Sequence, residues 1–369
     1  MGSLVVLVTG GSGFLGQHVV KHLQLYGDWV KEIRILDRLP FKKKLARTSR
    51  EPAEQADIPY DEVDYADSKP VTSYTGNITD EEIVSEVCNG VDAVLHIASI
   101  IDTTMFPNKE RLHEVNVKGT QTMLTACKKH NIGIFIYCSS IAVLQGFEDV
   151  QAGTETTVSV PSSLMFPSYG STKYLAQNTV LNDNGFQLKN GKKMKTLAIL
   201  PLTMYCELDS NLTPLMKSIK NKTFPRIGPM KAYAQFAYVG NVAMMFVRAL
   251  ERLVKNPELG GQYFFGADDT PANPMTGFLQ PFLGCLNSKI SSCHLPYWLM
   301  YICLTLLYVI LLVLRPIKKL NVPMTTKSLA FNNTTFYVTY DKAKTLLGYK
   351  PLYDYESSLE NAIKFYSNV

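Results

Sequence analysis

The sequence predicts an α/β fold built on a doubly wound parallel sheet. Short apolar runs, among them LVVLVTG (4–10), EIRILD (32–37) and IFIYCSS (134–140), alternate with amphipathic stretches such as FLGQHVVKHLQLYG (14–27). Apolar strands that alternate with helices are typical of a parallel sheet covered on both faces. A glycine-rich turn directly after the first run supports this prediction, because such turns join the first strand and helix of doubly wound folds.

The bulk composition is that of a globular chain. Its 369 residues suffice for a large α/β domain with a smaller lobe, and 46% of them are hydrophobic. The net charge of +5 is mild and the basic residues are dispersed, so we expect no nucleic-acid partner. The seven cysteines are scattered without a C-x-x-C pair, which favours reduced cytosolic thiols and predicts no metal site. The N-terminal MGSLVVLVTG lacks the basic region of a signal peptide.

The pattern divides the chain into two regions. Residues 1–200 carry the regular alternation and are expected to form the nucleotide-binding and catalytic domain. Residues 39–70 interrupt it with basic and then acidic residues, which predicts a mobile surface insertion. Residues 201–369 are less regular, which we interpret as a smaller C-terminal substrate-binding lobe with segments that return to the first domain.

A glycine pattern opens the first predicted helix. Gly10, Gly13 and Gly16 form G-x-x-G-x-x-G. Glycines here permit a tight turn and let the backbone approach a pyrophosphate, whose charge is favoured at a helix N-terminus. The motif predicts a Rossmann dinucleotide site, although a glycine-rich turn without a ligand is the structural alternative.

Asp37 ends the second predicted strand, about 20 residues after the glycines. A carboxylate at this position accepts hydrogen bonds from the adenosine ribose and repels a 2′-phosphate, which favours NAD over NADP. Arg38 follows at once and could favour the phosphate, and a solvated strand-end acid is a further alternative. TGNITD (75–80) and HIAS (96–99) lie where later strands would reach the adenine and the pyrophosphate.

Ser140, Tyr169 and Lys173 form a candidate catalytic group. Ser140 ends an apolar strand, and Lys173 lies one helical turn after Tyr169 in YGSTK (169–173). A lysine ammonium favours the phenolate, which can then take the proton of a secondary alcohol, and a serine hydroxyl can stabilise the charged oxygen. Asn116 is expected to support a proton-relay water near the lysine. A Tyr and Lys pair on a helix surface is the alternative.

At these residues the sequence resembles two nested families. An extended short-chain dehydrogenase/reductase is indicated by VTGGSGFLG (8–16), VNVKGT (115–120), YCSS (137–140), YGSTK and DKAKTLLGYKP (341–351). The 3β-hydroxysteroid dehydrogenase/Δ5–4 isomerase family is resembled more closely and nearly end to end, in YVGNVA (238–243), GGQYFFGADDTP (260–271), LPYWL (295–299) and NNTTF (332–336).

The resemblance implies NAD-dependent oxidation of a 3β-hydroxy-5-ene steroid, followed by movement of the double bond into conjugation. By position it makes Ser140, Tyr169 and Lys173 the dehydrogenase triad, and it makes Asp268 and Asp269 the paired carboxylates from which the isomerisation base would come. The structural alternative for DDTP (268–271) is a turn with a capping aspartate. The residues expected to contact NAD are Gly10, Gly13, Phe14, Leu15, Gly16, Asp37, Asn77, Ile78, Ala98, Tyr169, Lys173 and Pro201.

The chain departs from the family pattern at several positions. Phe264 stands where the family usually has the tyrosine proposed as the isomerase acid, so the isomerase half is less secure than the dehydrogenase half. The family segment LRPTGIYG here reads ILPLTMYC (199–206), in which Thr203 and Cys206 replace glycines and Leu200 replaces an arginine. These changes predict a non-standard substrate preference.

An apolar segment without Asp, Glu, Lys or Arg runs from Ile290 to Leu314. Residues 295–314 would span about 30 Å as a helix, enough for a bilayer core, and Arg315 follows at the head-group level. Because the C-terminal sequence resembles elements that complete the fold, we favour a monotopic or re-entrant anchor over a single crossing, and a buried core helix is the alternative. This predicts an endoplasmic reticulum membrane protein with a cytosolic catalytic domain, or else a mitochondrial one.

Other functions stay open. A sterol-4α-carboxylate 3-dehydrogenase that decarboxylates its product would share the triad and the membrane association. A sugar-nucleotide epimerase or reductase is disfavoured by the apolar segment, since nucleotide sugars are soluble. A non-catalytic NAD-binding scaffold is a further alternative, and the sequence leaves open whether the chain forms a homo-oligomer.

Overall fold

The computed structural model describes residues 3–45, 68–228, 231–317, 320, 322 and 324–369. Its strands are Leu4–Thr9 (β1), Val30–Asp37 (β2), Val71–Thr75 (β3), Ala93–His96 (β4), Ile134–Cys138 (β5), Val150–Gly153 (β6), Lys195–Pro201 (β7), Thr203–Tyr205 (β8), Thr223–Ile227 (β9), Phe236–Tyr238 (β10), Gln262–Gly266 (β11), Lys289–Leu295 (β12) and Phe336–Val338 (β13). Its α-helices are Phe14–Tyr26 (α1), Glu81–Cys88 (α2), Lys109–His113 (α3), Gly119–Lys129 (α4), Pro167–Asn182 (α5), Thr213–Ile219 (α6), Val239–Lys255 (α7), Met275–Leu279 (α8), Tyr297–Leu314 (α9), Thr326–Phe331 (α10) and Tyr355–Ser367 (α11).

Seven strands form one parallel sheet in the order β3-β2-β1-β4-β5-β7-β11. Val6, Leu7 and Val8 in β1 are completely buried, as expected of a strand covered on both faces. Helix α1 packs beside α7, while α4 contacts both α2 and α5. The strand order reverses between β1 and β4, which opens a crevice at the carboxyl ends of these strands. The predicted doubly wound fold is confirmed.

The C-terminal half adds three short parallel strand pairs: β8 with β10, β9 with β12, and β6 with β13. Strand β11 returns to the main sheet beside β7. The chain after residue 200 therefore contributes both to these small strand pairs and to the edge of the main sheet.

The predicted surface insertion at 39–70 is only partly visible, since residues 46–67 lie outside the described residues. Both of its described ends are attached to α1. The Gln17 side chain donates to the Lys42 carbonyl at 2.8 Å, and the Lys69 ammonium donates to the Gln24 carbonyl at 2.7 Å.

The apolar segment forms a helix that is mostly exposed. Helix α9 begins at Tyr297 rather than at residue 295. Leu295 is the last residue of β12 and pairs with Ile227 of β9, and Pro296 directly precedes the helix. Its 18 residues have a mean hydropathy of 2.4, and only 11% of them are buried. Leu304 is one of the buried residues, and it packs against Ile227 and Leu329. This exposure excludes the buried core helix.

The segments that follow α9 pack on the same body as those that precede it. Strand β13 pairs with β6, and the Phe336 N–H donates to the Tyr233 carbonyl. In α11 the Tyr366 hydroxyl donates to the Asp209 carboxylate at 3.0 Å. Both ends of α9 therefore connect to the same folded unit.

Candidate active site

The glycine turn between β1 and α1 leaves no room for side chains. Gly10 has φ = 74°, and a Cβ there would lie 2.8 Å from Ala98 Cα at the end of β4. A Cβ on Gly16 would lie 2.1 Å from the Gly10 carbonyl oxygen. Since the first N–H groups of a helix have no partner within the helix, this turn offers an anion-binding cradle of the kind that accepts a pyrophosphate. The residues present fit a dinucleotide.

Asp37 lies beside this turn at the carboxyl end of β2. One carboxylate oxygen accepts a hydrogen bond from the Ser12 N–H, and the other accepts one from the Leu39 N–H, each at 3.0 Å. These two bonds orient the half-buried carboxylate, whereas Arg38 is exposed. The arrangement agrees with a ribose-binding acid.

The other predicted cofactor residues lie at the same edge of the sheet. Ile78 is buried after β3, and a Cβ on Gly119 would approach its Cδ1 to 2.6 Å. The Ala98 N–H donates to the Thr9 hydroxyl at 3.2 Å. Four more predicted residues lie at this edge by their place in the fold: Phe14 and Leu15 at the start of α1, Asn77 after β3 and Pro201 at the end of β7. The parallel sheet thus brings the predicted set together.

Ser140 and Tyr169 share a hydrogen bond at the carboxyl end of β5. The Ser140 hydroxyl oxygen also accepts from the Ala142 N–H at 3.2 Å, which orients the side chain. Tyr169 lies in the first turn of α5 and is buried against Leu112 and Ala142. Burial raises the pKa of Tyr169 above its ordinary value, and the hydrogen bond from Ser140 opposes this rise.

Lys173 lies one turn further along α5 and is 1% exposed. Its ammonium donates to the Cys138 carbonyl at 2.6 Å and lies 4.4 Å from the centroid of the Tyr137 ring. Burial lowers the pKa of Lys173 to about 8. At neutral pH the side chain therefore remains mainly cationic while being close to titration. The structure thus places the three predicted triad residues at the carboxyl end of β5 and in the first turns of α5.

Asn116 connects the loop after β4 to helix α5. It lies in a π-helical turn, Glu114–Lys118, a conformation that often occurs at functional sites. Its side chain accepts from the Ile100 N–H at 2.9 Å, and donates to the Ile100 carbonyl at 3.0 Å and to the Thr172 hydroxyl at 3.1 Å. These contacts position Ile100 beside the triad, and the relay role stays a prediction.

A buried polar chain beneath the site is not foreseen by motif reasoning. His96 Nδ1 lies 2.8 Å from the Thr9 hydroxyl, and its Nε2 lies 3.1 Å from the Thr120 hydroxyl. Thr120 in turn donates to the Asn116 carbonyl at 2.8 Å. Burial, together with the charge of Lys173, lowers the pKa of His96 to about 3, so the ring is neutral. The histidine is visible in HIAS, but only the fold reveals its partners.

Asp268 and Asp269 differ in their surroundings. Asp268 is buried, and its carboxylate accepts hydrogen bonds from the Tyr238 N–H, the Asn241 amide and the Thr270 N–H at 2.8–3.0 Å. Burial raises the pKa of Asp268, which these hydrogen bonds counteract. Asp269 instead accepts from the Tyr340 hydroxyl at 2.5 Å. Within the described residues, the hydrogen bonds of these two carboxylates do not reach the triad. Their isomerase role stays a prediction.

Solved structures share the fold at low sequence identity. An epimerase from Methanothermobacter thermautotrophicus matches with a TM-score of 0.69 and 16% identity, covering 100% of this chain and 93% of that one. The UDP-glucose 4-epimerase of Thermotoga maritima matches with a TM-score of 0.67 and 16% identity, and the match covers 99% of each chain. A dTDP-glucose 4,6-dehydratase from Streptomyces venezuelae, solved with NAD bound, matches with a TM-score of 0.66 and 18% identity. The match covers 99% of this chain and 97% of that one.

A sequence relative is more specific. The chain is 29% identical to 3 beta-hydroxysteroid dehydrogenase type 7 of Mus musculus over 373 aligned positions, which cover 98% of this chain and 95% of the relative. Residues 7–297 match the model of the 3-beta hydroxysteroid dehydrogenase/isomerase family, which spans the glycine turn, the triad and the paired carboxylates. The chain belongs to the 3-beta hydroxysteroid dehydrogenase/isomerase family.

Proposed function

We propose that this chain is an NAD-dependent dehydrogenase that oxidises a 3β-hydroxy-5-ene steroid to the 3-ketone and then moves the double bond into conjugation. The observation that carries the proposal is the buried pairing of Tyr169 with Ser140, with the Lys173 ammonium one turn away and the glycine cradle beside them. Family membership supports the substrate class.

In this proposal the residues at the sheet edge would hold the cofactor. Gly10, Gly13 and Gly16 would contact the pyrophosphate of NAD, and Asp37 would accept hydrogen bonds from the adenosine ribose. NAD supplies the hydride acceptor when it is bound. Because Asp37 is fixed by two backbone N–H groups, the carboxylate would not need to reorganise to receive the ribose.

The triad would remove the proton. The Tyr169 phenolate takes the proton of the 3β-hydroxyl while the hydrogen on carbon 3 leaves with its electron pair, and a carbonyl forms at carbon 3. The Ser140 hydroxyl donates a hydrogen bond to the same oxygen and stabilises its developing charge. In this proposal the Lys173 ammonium, one turn further along α5, would favour the phenolate as it forms.

The isomerase step needs a second base, which removes a proton from the carbon between the ketone and the alkene. We favour Asp269 over Asp268, because the Asp268 oxygens are occupied by three protein donors while Asp269 has one hydroxyl partner. Phe264 carries no hydroxyl, and the Tyr263 hydroxyl donates to the Glu155 carbonyl at 2.9 Å. We expect Asp269→Asn to abolish enone formation while NADH is still produced. Loss of both products in parallel would contradict this assignment.

We also propose that α9 anchors the enzyme to a membrane as a monotopic element. Its 18 residues, which carry no charge and are mostly exposed, extend about 27 Å, close to the thickness of a bilayer core, and Arg315 follows at the end. The packing of β12 and β13 on one body supports an anchor that enters and leaves on the same side. The seven cysteines are free thiols, which supports a reducing compartment such as the cytosolic face of the endoplasmic reticulum.

The test uses membranes that contain the full chain, NAD and a panel of 3β-hydroxy-5-ene steroids. NADH and the conjugated ketone are followed together. Tyr169→Phe should lower the rate by at least about 100-fold, whereas Tyr174→Phe, the same change later in the same helix, should retain the rate. NADH without enone would leave a dehydrogenase alone. Absence of both products, with carbon dioxide and NADH released from 4-carboxysterols, would overturn the proposal in favour of the decarboxylating enzyme.

A further inference from the structure

A cavity of about 550 Å³ lies between the loop that follows β4 and the C-terminal end of α9. Its volume is within the range of roughly 300–1,000 Å³ that is typical of small-molecule sites. Apolar walls are provided by Ile100, Ile101 and Phe106 on the loop side and by Leu311 on the helix side. Polar groups that line it include Asp102, Arg111 and Arg315. The lining therefore combines apolar walls with polar groups that can hydrogen-bond a hydroxyl group.

Aromatic contacts attach the loop to the helix at this cavity. The Phe106 ring is stacked on the Tyr308 ring, with centroids 5.3 Å apart and an interplanar angle of 21°. The Arg315 guanidinium lies 4.9 Å from the centroid of the same Phe106 ring. These contacts hold the two walls of the cavity together.

The inner end of the cavity reaches the triad through a single side chain. Ile100 lines the cavity and also packs against the cluster of Leu112, Ala142 and Tyr169. Its backbone N–H and carbonyl are both bonded to the Asn116 side chain, which fixes its place. A molecule in the cavity is thus separated from the catalytic phenol by Ile100.

The outer end lies beside the two large apolar side chains that are the most exposed among the described residues. Val313 is 71% exposed and Ile317 is 85% exposed, close in sequence to the cavity residues Leu311 and Arg315. If α9 lies in a bilayer, the mouth of the cavity opens next to lipid rather than next to bulk water.

We propose that this cavity is the docking site through which the sterol substrate passes from the membrane to Tyr169, with Ile100 as the side chain that separates the two. The inference rests on the proposed function. Sterols partition strongly into lipid, so a mouth at the lipid surface supplies substrate where it is concentrated. The apolar walls hold the ring system, and the polar groups of the loop can hydrogen-bond the 3β-hydroxyl on its path.

The test uses the full chain in lipid nanodiscs with a 3β-hydroxy sterol that carries a photoreactive diazirine on its side chain. Adducts that unlabelled sterol competes away are expected on residues 100–111 or 311–317. Ile101 is 53% exposed at the cavity, so Ile101→Trp should narrow it without disturbing the core and should reduce these adducts at least tenfold. Leu346→Trp, at a 39% exposed position away from the cavity, is the matched control and should label like the wild type.

Competable adducts elsewhere, no competable adduct, or equal labelling of the two variants would each overturn the docking site. NADH formation by the wild type is recorded in the same nanodiscs. Turnover with equal labelling of both variants would overturn the cavity alone. Labelling that Ile101→Trp removes, without turnover of any steroid in the panel, would support the cavity and contradict the dehydrogenase.

Discussion

Acid should destabilise this chain from about pH 6.5 downward, because three histidines are buried as neutral rings. His18, His22 and His96 are 4%, 1% and 0% exposed. Burial lowers the pKa of His18 to about 4 and that of His96 to about 3, and it lowers the pKa of His22 well below its ordinary value. In the unfolded chain these histidines bind protons with the ordinary histidine pKa of about 6.5. Acid therefore favours unfolding.

The size of the effect follows from linkage. His18 and His96 each remove about 1.4 kcal/mol from the free energy of unfolding per pH unit below 6.5, or about 2 kcal/mol at pH 5. The loss continues until the folded pKa, about 4 for His18 and about 3 for His96. Asp209 and Asp268 act in the opposite direction, because burial raises their pKa and protonation then favours the folded chain.

A variant comparison isolates one histidine. His22→Phe preserves an aromatic ring at a position where the native ring contacts Tyr26 edge-on and stacks on Tyr353. Between pH 7.5 and pH 5, the free energy of unfolding of this variant should fall less steeply than that of the wild type, because the variant lacks the buried imidazole whose pKa is lowered. His113→Gln, at an exposed position, should follow the wild type. Urea unfolding at each pH measures this, and identical pH slopes for wild type and His22→Phe would refute the reasoning.

Two further changes test other parts of the molecule. Gly16→Ala should abolish or strongly weaken NAD binding, measured by titration calorimetry, because the new Cβ would lie 2.1 Å from the Gly10 carbonyl oxygen. Gly133→Ala, where a Cβ meets nothing within 4 Å, should bind NAD normally, and equal binding by both variants would contradict the cradle. Tyr366→Phe should lower the free energy of unfolding by about 1–2 kcal/mol, because its hydroxyl bonds both the Asp209 carboxylate and the Cys206 N–H. An unchanged urea midpoint would count against that pairing.

The sheet and its cofactor edge could be predicted from the sequence because the signals are local. The position of Gly10 before a helix and that of Asp37 at a strand end each define a place in a parallel sheet. The carboxyl ends of parallel strands then meet at one edge, which brings Ser140 and Tyr169 to the same place without further information.

Other features depend on contacts between distant segments, which no local pattern reports. The chain of Thr9, His96 and Thr120 joins three elements, and each residue alone resembles an ordinary core or strand residue. The sequence predicts the apolar helix over residues 295–314. Because Leu295 pairs with Ile227, the helix begins at Tyr297 instead. The paired carboxylates likewise differ because Asp268 meets donors from β10 and α7, whereas Asp269 meets the Tyr340 hydroxyl.

The departure at residue 206 shows how the C-terminal segment completes the substrate side of the fold. Cys206 has φ = 101°, a conformation that favours the glycine found there in the family, so its side chain is accommodated under strain. Its N–H donates to the Tyr366 hydroxyl at 3.2 Å, and that hydroxyl donates to Asp209. The last helix therefore holds the strained turn that follows β8. Because α11 comes after α9 in the chain, this turn can form only if the chain returns to the catalytic body beyond the apolar helix, which favours an anchor that does not cross the membrane.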